Sequence, residues 1–127
     1  MDKYIGSMLG GRYQIEEIVG VGGMAVVYRA RDTILGRDVA LKVLKKEFAE
    51  DPDIRKRFSI ESRAVAKLSH HNIVSVFDVG SEDGTDYIVM ELIEGITLKQ
   101  YLQRKGHLSW EETIFFAEQV ARALMHA

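Results

Sequence analysis

The sequence contains no cysteine, which excludes disulfide bonds and cysteine-based metal sites. It has one proline, no signal or transit peptide, and no run of about 18 apolar residues, the length that a membrane-spanning helix requires. Positive and negative side chains almost balance at a net charge of −2, so charge gives no reason to expect nucleic acid or an anionic membrane as partner. We therefore expect no nucleic-acid contact, no membrane contact by this segment and a cytoplasmic location.

What the sequence does contain is typical of one globular domain. Its 127 residues are 46% hydrophobic and 28% charged, which is enough apolar material for a core and too much for a disordered chain. The four histidines are scattered, and the adjacent pair His70 and His71 cannot share one face of a helix or strand. We expect no metal site.

Hydrophobic periodicity predicts strands and helices in a definite order. Residues 1–12 show little pattern and are expected to be a lead-in to a domain that spans 13–127. Alternating apolar residues predict five strands, and helical spacing with capping residues such as Asp51, Thr97 and Ser109 predicts three helices. The strands are expected over 13–19, 26–31, 38–44, 71–80 and 87–92, and the helices over 51–69, 97–106 and 109–127.

A glycine-rich stretch, Val19 to Val27, joins the first two strands. Glycine permits positive φ and close approach of the backbone to a ligand, and such a turn can point several N–H groups at a phosphate. An ordinary flexible hairpin turn explains the stretch equally well. A dinucleotide fingerprint is excluded because a strand, not a helix, follows the glycines, and a Walker loop is excluded because the chain has no Gly-Lys dipeptide.

Two charged residues lie among apolar neighbours. Lys42 has apolar neighbours on its own face of the third strand, and Glu61 interrupts an apolar stripe in the first helix. Each has two interpretations: an edge residue with its charge in water, or a buried charge with an assigned partner. If both are buried, each is the natural partner of the other.

Five motifs in this order resemble the N-terminal part of a protein kinase catalytic domain, and specifically a bacterial, eukaryotic-like serine/threonine kinase. The resemblance covers residues 12–127 and predicts an α+β fold: an N-lobe with a five-stranded antiparallel sheet and one packed helix, followed by two helices that begin the C-lobe. The motifs are Gly20-x-Gly22-Gly23-Met24-Ala25-x-Val27-Tyr28, Val39-Ala40-Leu41-Lys42, Arg57-Phe58-Ser59-Ile60-Glu61, His70-His71-Asn72-Ile73-Val74, and Tyr87-Ile88-Val89-Met90-Glu91 followed by Glu94-Gly95-Ile96-Thr97-Leu98.

The resemblance implies ATP as the cofactor and assigns a role to each site residue. Lys42 is expected to bind the α- and β-phosphates, and Glu61 to hold Lys42 in position. The glycine turn covers the phosphates, and the remaining residues surround the adenine, with the carbonyl of Glu91 and the amide of Ile93 at its edge. The expected cofactor-binding set is Val19, Gly20, Val21, Gly22, Gly23, Met24, Ala25, Val27, Ala40, Lys42, Met90, Glu91 and Ile93. One departure is Ala25, which stands where the common pattern has a third glycine.

The sequence contains no His-Arg-Asp, no catalytic-loop asparagine and no Asp-Phe-Gly. The catalytic aspartate and the Mg²⁺ ligands are therefore expected in a longer parent protein, and this segment alone is expected to be inactive. Many relatives dimerise through the back of the N-lobe, and many carry a transmembrane helix after the kinase domain. The expected function is phosphoryl transfer from ATP to serine or threonine of protein substrates. The alternative is a non-catalytic nucleotide-binding or pseudokinase interaction module. The presence of Lys42 and Glu61 argues against this alternative.

Overall fold

The computed structural model describes residues 3–127, in which one antiparallel sheet of six strands is accompanied by four helices. The strands lie in the order β1-β2-β3-β4-β6-β5, so that β1 and β5 are the edges. The elements are β1 Met8–Leu9, β2 Tyr13–Val21, β3 Ala25–Asp32, β4 Arg37–Leu44, α1 Lys46–Ala49, α2 Pro52–Ala66, β5 Val76–Glu82, β6 Thr85–Met90, α3 Leu98–Lys105 and α4 Trp110–His126.

The expected five strands and their antiparallel pairing are present, and β1 is an additional sixth strand inside the predicted lead-in. Gly10 and Gly11 adopt φ of 60° and 64° and turn the chain back, so that Met8 and Leu9 pair with the start of β2. Two residues are too few to show alternation in a sequence, which is why the pattern did not reveal β1. The first two residues of the predicted lead-in lie outside the described residues.

The main hydrophobic core lies on one face of the sheet. Tyr28, Leu41 and Val89 are paired across β3, β4 and β6, and all three are almost fully buried. The sheet curls over this core so strongly that the rings of Tyr13 on β2 and Tyr87 on β6 meet edge to face, with centroids 6.3 Å apart. Right-handed twist accumulates across a sheet and makes such curling the normal outcome.

The opposite face of the sheet carries Lys42. Because successive side chains alternate between faces, Val27, Lys42 and Ile88, which pair across β3, β4 and β6, share this second face. Helix α2 packs against β5 and β6 on this side. Its start is as predicted: the Asp51 side chain accepts hydrogen bonds from the amides of Asp53 and Ile54.

The predicted helix 51–69 ends earlier, at Ala66, and its apolar stripe is not a buried one. Ser62 is the one buried residue that α2 contributes, whereas Val65 is 38% exposed. The stripe is not buried because α2 lies along one side of the sheet, where part of the stripe faces an open cleft.

The fourth predicted strand also needs correction. It begins at Val76, not at residue 71, and ends at Glu82. It is half-exposed because β5 is an edge strand with a neighbour on one side only. Phe77, for example, is 42% exposed. The hairpin to β6 turns at Asp83 and Gly84, and both have positive φ (50° and 77°), the conformation of a tight two-residue turn.

Helices α3 and α4 begin at the two predicted capping boxes. Thr97 with Gln100 closes the first box and Ser109 with Glu112 the second, each pair bonding reciprocally. Neither helix contributes a buried residue, and Leu124 of α4 is 70% exposed. Within residues 3–127, no helix combines the length and the hydrophobicity that crossing a membrane demands.

Candidate functional site

The glycine turn lies at the open end of the β2–β3 hairpin. The amide of Gly22 donates to the carbonyl of Ala25 at 2.8 Å and closes the turn. Gly20, Gly22 and Gly23 are not among the described residues with positive φ, so of the two properties that glycine offers, a left-handed conformation is not the one used here. A methyl group added at Gly23 would meet no atom within 4 Å. Since neither conformation nor crowding requires glycine at this position, the open space beside the backbone is the remaining physical reason for it.

Lys42 lies in the middle of the sheet, on the face that the glycine turn overhangs. It pairs with Val27 of β3 and with Ile88 of β6, and it is half-buried. Both neighbours are apolar, so the stem of the lysine lies on hydrophobic surface while its ammonium group reaches the cleft.

Helix α2 forms the second wall of this cleft. Its residues Ile54, Arg57, Phe58 and Glu61 line a cavity of about 570 Å³. The glycine turn and the sheet line the other side, through Gly22, Gly23, Met24, Ala25, Val27 and Lys42. Glu61 and Lys42 therefore face the same space. Ile54, Arg57 and Phe58 were not expected as site residues, although the helical spacing of Ile54, Phe58 and Glu61 indicated a shared stripe.

Lys42 and Glu61 do not form the expected ion pair in this structure. Among the described residues, no carboxylate oxygen lies within 4.0 Å of the Lys42 ammonium group, and no cation lies that close to Glu61. Glu61 is exposed, and an ion pair at an exposed position gains little over the hydration of its two charges. The cleft therefore holds a free cation, Lys42, beside the open glycine turn.

Two of the residues expected around an adenine ring, Ala40 and Met90, lie on the same face but outside the cleft wall just described. Ala40 pairs with Met90 across β4 and β6, two residues along from the Lys42–Ile88 pair. Both belong to the Lys42 face, with Ala40 nearly buried at 5% exposure and Met90 half-buried. Together with Val27 they make an apolar strip next to the lysine, which suits a flat base.

Two of the three expected residues from β2 are placed less favourably. Val19 and Val21 lie in β2 near its pairing irregularity and are 49% and 70% exposed, and neither lines the cleft. Gly20, by contrast, pairs directly with Val27 and so reaches the apolar strip.

The segment after β6 is irregular from Glu91 onward. The Glu91 amide donates to the Ser75 carbonyl at 2.8 Å, and the Glu91 carboxylate accepts from the Ser75 amide at 3.2 Å. These bonds fix the Glu91 backbone. Among the described residues, the Glu91 carbonyl and the Ile93 amide have no hydrogen-bond partner, so both are free to bond an incoming group.

The donor set fits the phosphates and base of a nucleotide but not a metal ion. Backbone amides of the turn and the Lys42 ammonium group are anion ligands, and the strip next to them is apolar. Between residues 3 and 127, no three histidine, aspartate or glutamate side chains are close enough together to hold a metal.

An ion pair that the sequence did not reveal attaches α2 to the sheet. Arg55 contacts Asp86 of β6 through two parallel hydrogen bonds of 2.6 and 3.1 Å. This contact holds the pKa of the Asp86 carboxyl below its ordinary value and raises the pKa of Arg55. No periodicity or motif signals a contact between residues so far apart in the chain.

The loop before β5 attaches the sheet to α4. The Asn72 side-chain amide donates to both the backbone and the side-chain oxygen of Gln119, each at 3.0 Å. His70 stacks on His71 and lies against His126 of α4. Burial, and then the neighbouring His71 and His126, lower the pKa of His70. This loop thus links the sheet to α4.

Comparison with known proteins agrees with this geometry. The profile of the protein kinase domain family matches residues 13–127. The chain is 46% identical to the serine/threonine-protein kinase PrkC of Bacillus subtilis over 97% of its own length, and 43% identical to PknA of Mycobacterium tuberculosis over its whole length. It spans only 19% of PrkC and 31% of PknA. Among solved structures, a variant of the Mycobacterium tuberculosis PknI kinase domain superposes with a TM-score of 0.86 at 30% identity, covering 99% of this chain and 51% of that domain.

Proposed function

This chain belongs to the protein kinase domain family, and from that premise we propose that it is the ATP-binding lobe of a kinase that phosphorylates serine or threonine in proteins. One observation carries the proposal: the glycine turn, Lys42 and Glu61 line a single cleft next to an apolar strip. The names of its relatives, PrkC and PknA, favour serine/threonine kinases over tyrosine kinases.

In this proposal the cleft binds ATP in a fixed orientation. The adenine lies on Val27, Ala40 and Met90, and its edge bonds the Glu91 carbonyl and the Ile93 amide. The phosphates lie under the amides of residues 20–25, and Lys42 donates to the α- and β-phosphate oxygens. Positioning and electrostatic stabilisation account for most of the catalysis of phosphoryl transfer, so a correctly held lysine is central to it.

We propose that the unpaired Lys42 and Glu61 belong to an arrangement of the cleft that does not support catalysis. We propose that nucleotide binding and the remainder of the parent protein bring α2 toward β4 and close the pair. The family's catalytic aspartate and Mg²⁺ ligands are not among these 127 residues, and we propose that the remainder of the parent protein supplies them. The kinase acts in the cytoplasm, where ATP is available.

A dimer through the back of the N-lobe is a further part of the proposal. Ile34 and Leu35 are 69% and 57% exposed at the β3–β4 turn, the end of the hairpin that lies away from the glycine turn. Sedimentation of the chain against its Leu35→Asp variant tests this. We expect the variant to be monomeric at concentrations where the wild type associates, and identical sedimentation contradicts the dimer.

The test of the proposed function is phosphoryl transfer by the intact parent protein. The protein is incubated with Mg²⁺ and ATP that carries a radiolabelled γ-phosphate, beside peptides that differ only in serine, threonine or tyrosine as acceptor. We expect label on serine and threonine and none on tyrosine. A parent protein that binds a fluorescent ATP analogue but transfers no label overturns the catalytic proposal and supports the non-catalytic module.

A further inference from the structure

Arg55 and Asp86 provide the one side-chain hydrogen-bonded link between α2 and the sheet within residues 3–127. The other side-chain bonds of the helix stay local: Asp51 caps its start, and Ser62 donates back to the Phe58 carbonyl. Arg55 is 41% exposed and Asp86 only 15%. A bidentate pair with one shielded partner is better ordered than an ordinary surface pair.

The Arg55–Asp86 pair connects the two parts of the cleft that must come together if Glu61 is to contact Lys42. Asp86 is two residues from Ile88 and therefore lies on the same face of β6, and Ile88 pairs directly with Lys42. On α2, Arg55 and Ser62 are two turns apart on the sheet side, whereas Glu61 lies on the flank that faces the cleft. The Arg55–Asp86 pair thus ties the helix that carries Glu61 to the strand beside Lys42.

The pair is formed in a structure where Lys42 and Glu61 are apart, so it does not depend on their contact. It holds the N-terminal end of α2 while the rest of the helix has few polar ties. Glu61 lies about 9 Å along the axis from Arg55 at the rise of an α-helix, so a tilt of about 20° around the held end moves Glu61 by about 3 Å.

We propose that Arg55 is a positioning residue for phosphoryl transfer: by holding Asp86 it makes the start of α2 a fixed pivot, from which Glu61 swings onto Lys42. This inference rests on the proposed function. Without the pivot, α2 can shift along the sheet as a whole, and Glu61 reaches the lysine in a smaller fraction of molecules.

The test measures kcat and KM of the intact parent kinase for ATP, well below its melting temperature. Arg55→Ala and Asp86→Asn are each expected to reduce kcat about 10- to 100-fold, the size of effect that a misplacement of about 1 Å produces. Arg55→Lys, which keeps the charge but not the bidentate geometry, is expected to fall between Arg55→Ala and the wild type. The charge reversal Arg55→Asp with Asp86→Arg is expected to recover part of the loss.

A second set of variants, made in the Glu61→Gln protein, distinguishes a positioning role of Arg55 from simple stabilisation of the fold. In the Glu61→Gln protein, which has lost the carboxylate that the pivot positions, Arg55→Ala is expected to cause no further loss of kcat. A merely structural role would lower the melting temperature in both backgrounds and leave kcat per folded molecule unchanged. The matched control is Lys56→Ala, the adjacent exposed position on α2, whose lysine has no ion pair among the described residues; it is expected to behave as wild type.

Two results overturn the inference while the proposed function stands: an active wild type whose Arg55→Ala variant has unchanged kcat, or an equal loss in the Glu61→Gln background. If Arg55→Ala does not fold, the same comparison is made with Arg55→Lys and decides in the same way. An intact wild type that transfers no phosphate overturns the proposed function and the inference with it.

Discussion

A single methyl group at Gly80 should destabilise the sheet measurably. Gly80 lies in the edge strand β5 directly opposite Tyr87 of β6, and the tyrosine ring lies over it. A Cβ built on Gly80 collides with the ring carbons and hydroxyl of Tyr87. Tyr87 cannot simply move aside, because it is only 6% exposed, packs against Tyr13, and has Gly10 close to its hydroxyl. An aromatic side chain that covers a glycine in an edge strand is a recognised way to fill the gap such a residue leaves.

The expected loss follows from two opposing effects. Overpacking of a filled site costs about 1–3 kcal/mol. Alanine also restricts the unfolded chain more than glycine does, which stabilises the folded protein by about 0.4–1 kcal/mol where the native φ suits alanine. Gly80 is not among the positive-φ glycines, so no backbone strain is added. The free energy of unfolding of Gly80→Ala should therefore fall by about 1–2 kcal/mol.

Urea denaturation of the 127-residue chain, followed by circular dichroism, measures this loss. Gly23→Ala is the matched control, because the same methyl group meets no atom there within 4 Å and should be neutral or slightly stabilising. Tyr87→Leu removes the ring, so the double variant with Gly80→Ala should lose less than the sum of the two single losses. Equal stabilities of Gly80→Ala and Gly23→Ala, or additive losses in the double variant, would refute the reasoning.

Three further outcomes are expected. Lys42→Ala in the intact parent kinase should reduce turnover by orders of magnitude in the radiolabel assay, and unchanged turnover removes Lys42 from the mechanism. Bonding to Lys105 lowers the pKa of Glu112 from 4.5 to about 2, so the stabilisation from Glu112 is complete above pH 4.5 and is lost as the pH falls toward 2. In urea titrations, the free energy of unfolding of Glu112→Gln should therefore depend less steeply on pH in acid than that of the wild type. An unaltered pH dependence contradicts this. Asp51→Ala should lower the free energy of unfolding by about 1 kcal/mol through loss of the α2 cap, and no change means that the cap does not contribute.

The parts of the fold that the sequence predicts are those with a local cause. Asp51 next to a proline, and serine or threonine three residues before glutamate or glutamine, mark helix starts because the capping bonds are made within one turn. The Asp83–Gly84 hairpin is likewise specified by two residues that tolerate positive φ. Strand β4 is recognisable as a short apolar run from Val39 to Leu44, interrupted only by Lys42, because both faces of this central strand are largely buried.

The errors arise where tertiary position decides. The start of β5 could not be read from its apolar residues, because an edge strand has half its surface in solvent and needs no strict burial pattern. Strand β1 depends on a turn at Gly10 and Gly11 and on an edge of β2 that only the folded sheet offers. The apolar stripe of α2 correctly indicated which side of the helix faces the cleft. It did not indicate that the cleft is open.

For the candidate site, motifs identified which residues lie near one another but not whether they touch. The order of the motifs placed the glycine turn, Lys42 and Glu61 in one cleft, as found. Whether Lys42 and Glu61 touch depends on the tertiary placement of α2, which no short motif encodes. The Arg55–Asp86 pair escaped prediction for the same reason, since it joins distant parts of the chain without a spacing rule.

The most direct test of the whole account is a crystal structure of the intact kinase domain bound to a non-hydrolysable ATP analogue. We predict the adenine between Val27 and Ala40, the phosphates beneath residues 20–25, and the Lys42 ammonium group within about 3 Å of a phosphate oxygen, as a hydrogen bond requires. In the same structure Glu61 should contact Lys42. A nucleotide bound elsewhere, or one bound in the cleft with Lys42 turned away from its phosphates, would contradict the assignment of this cleft.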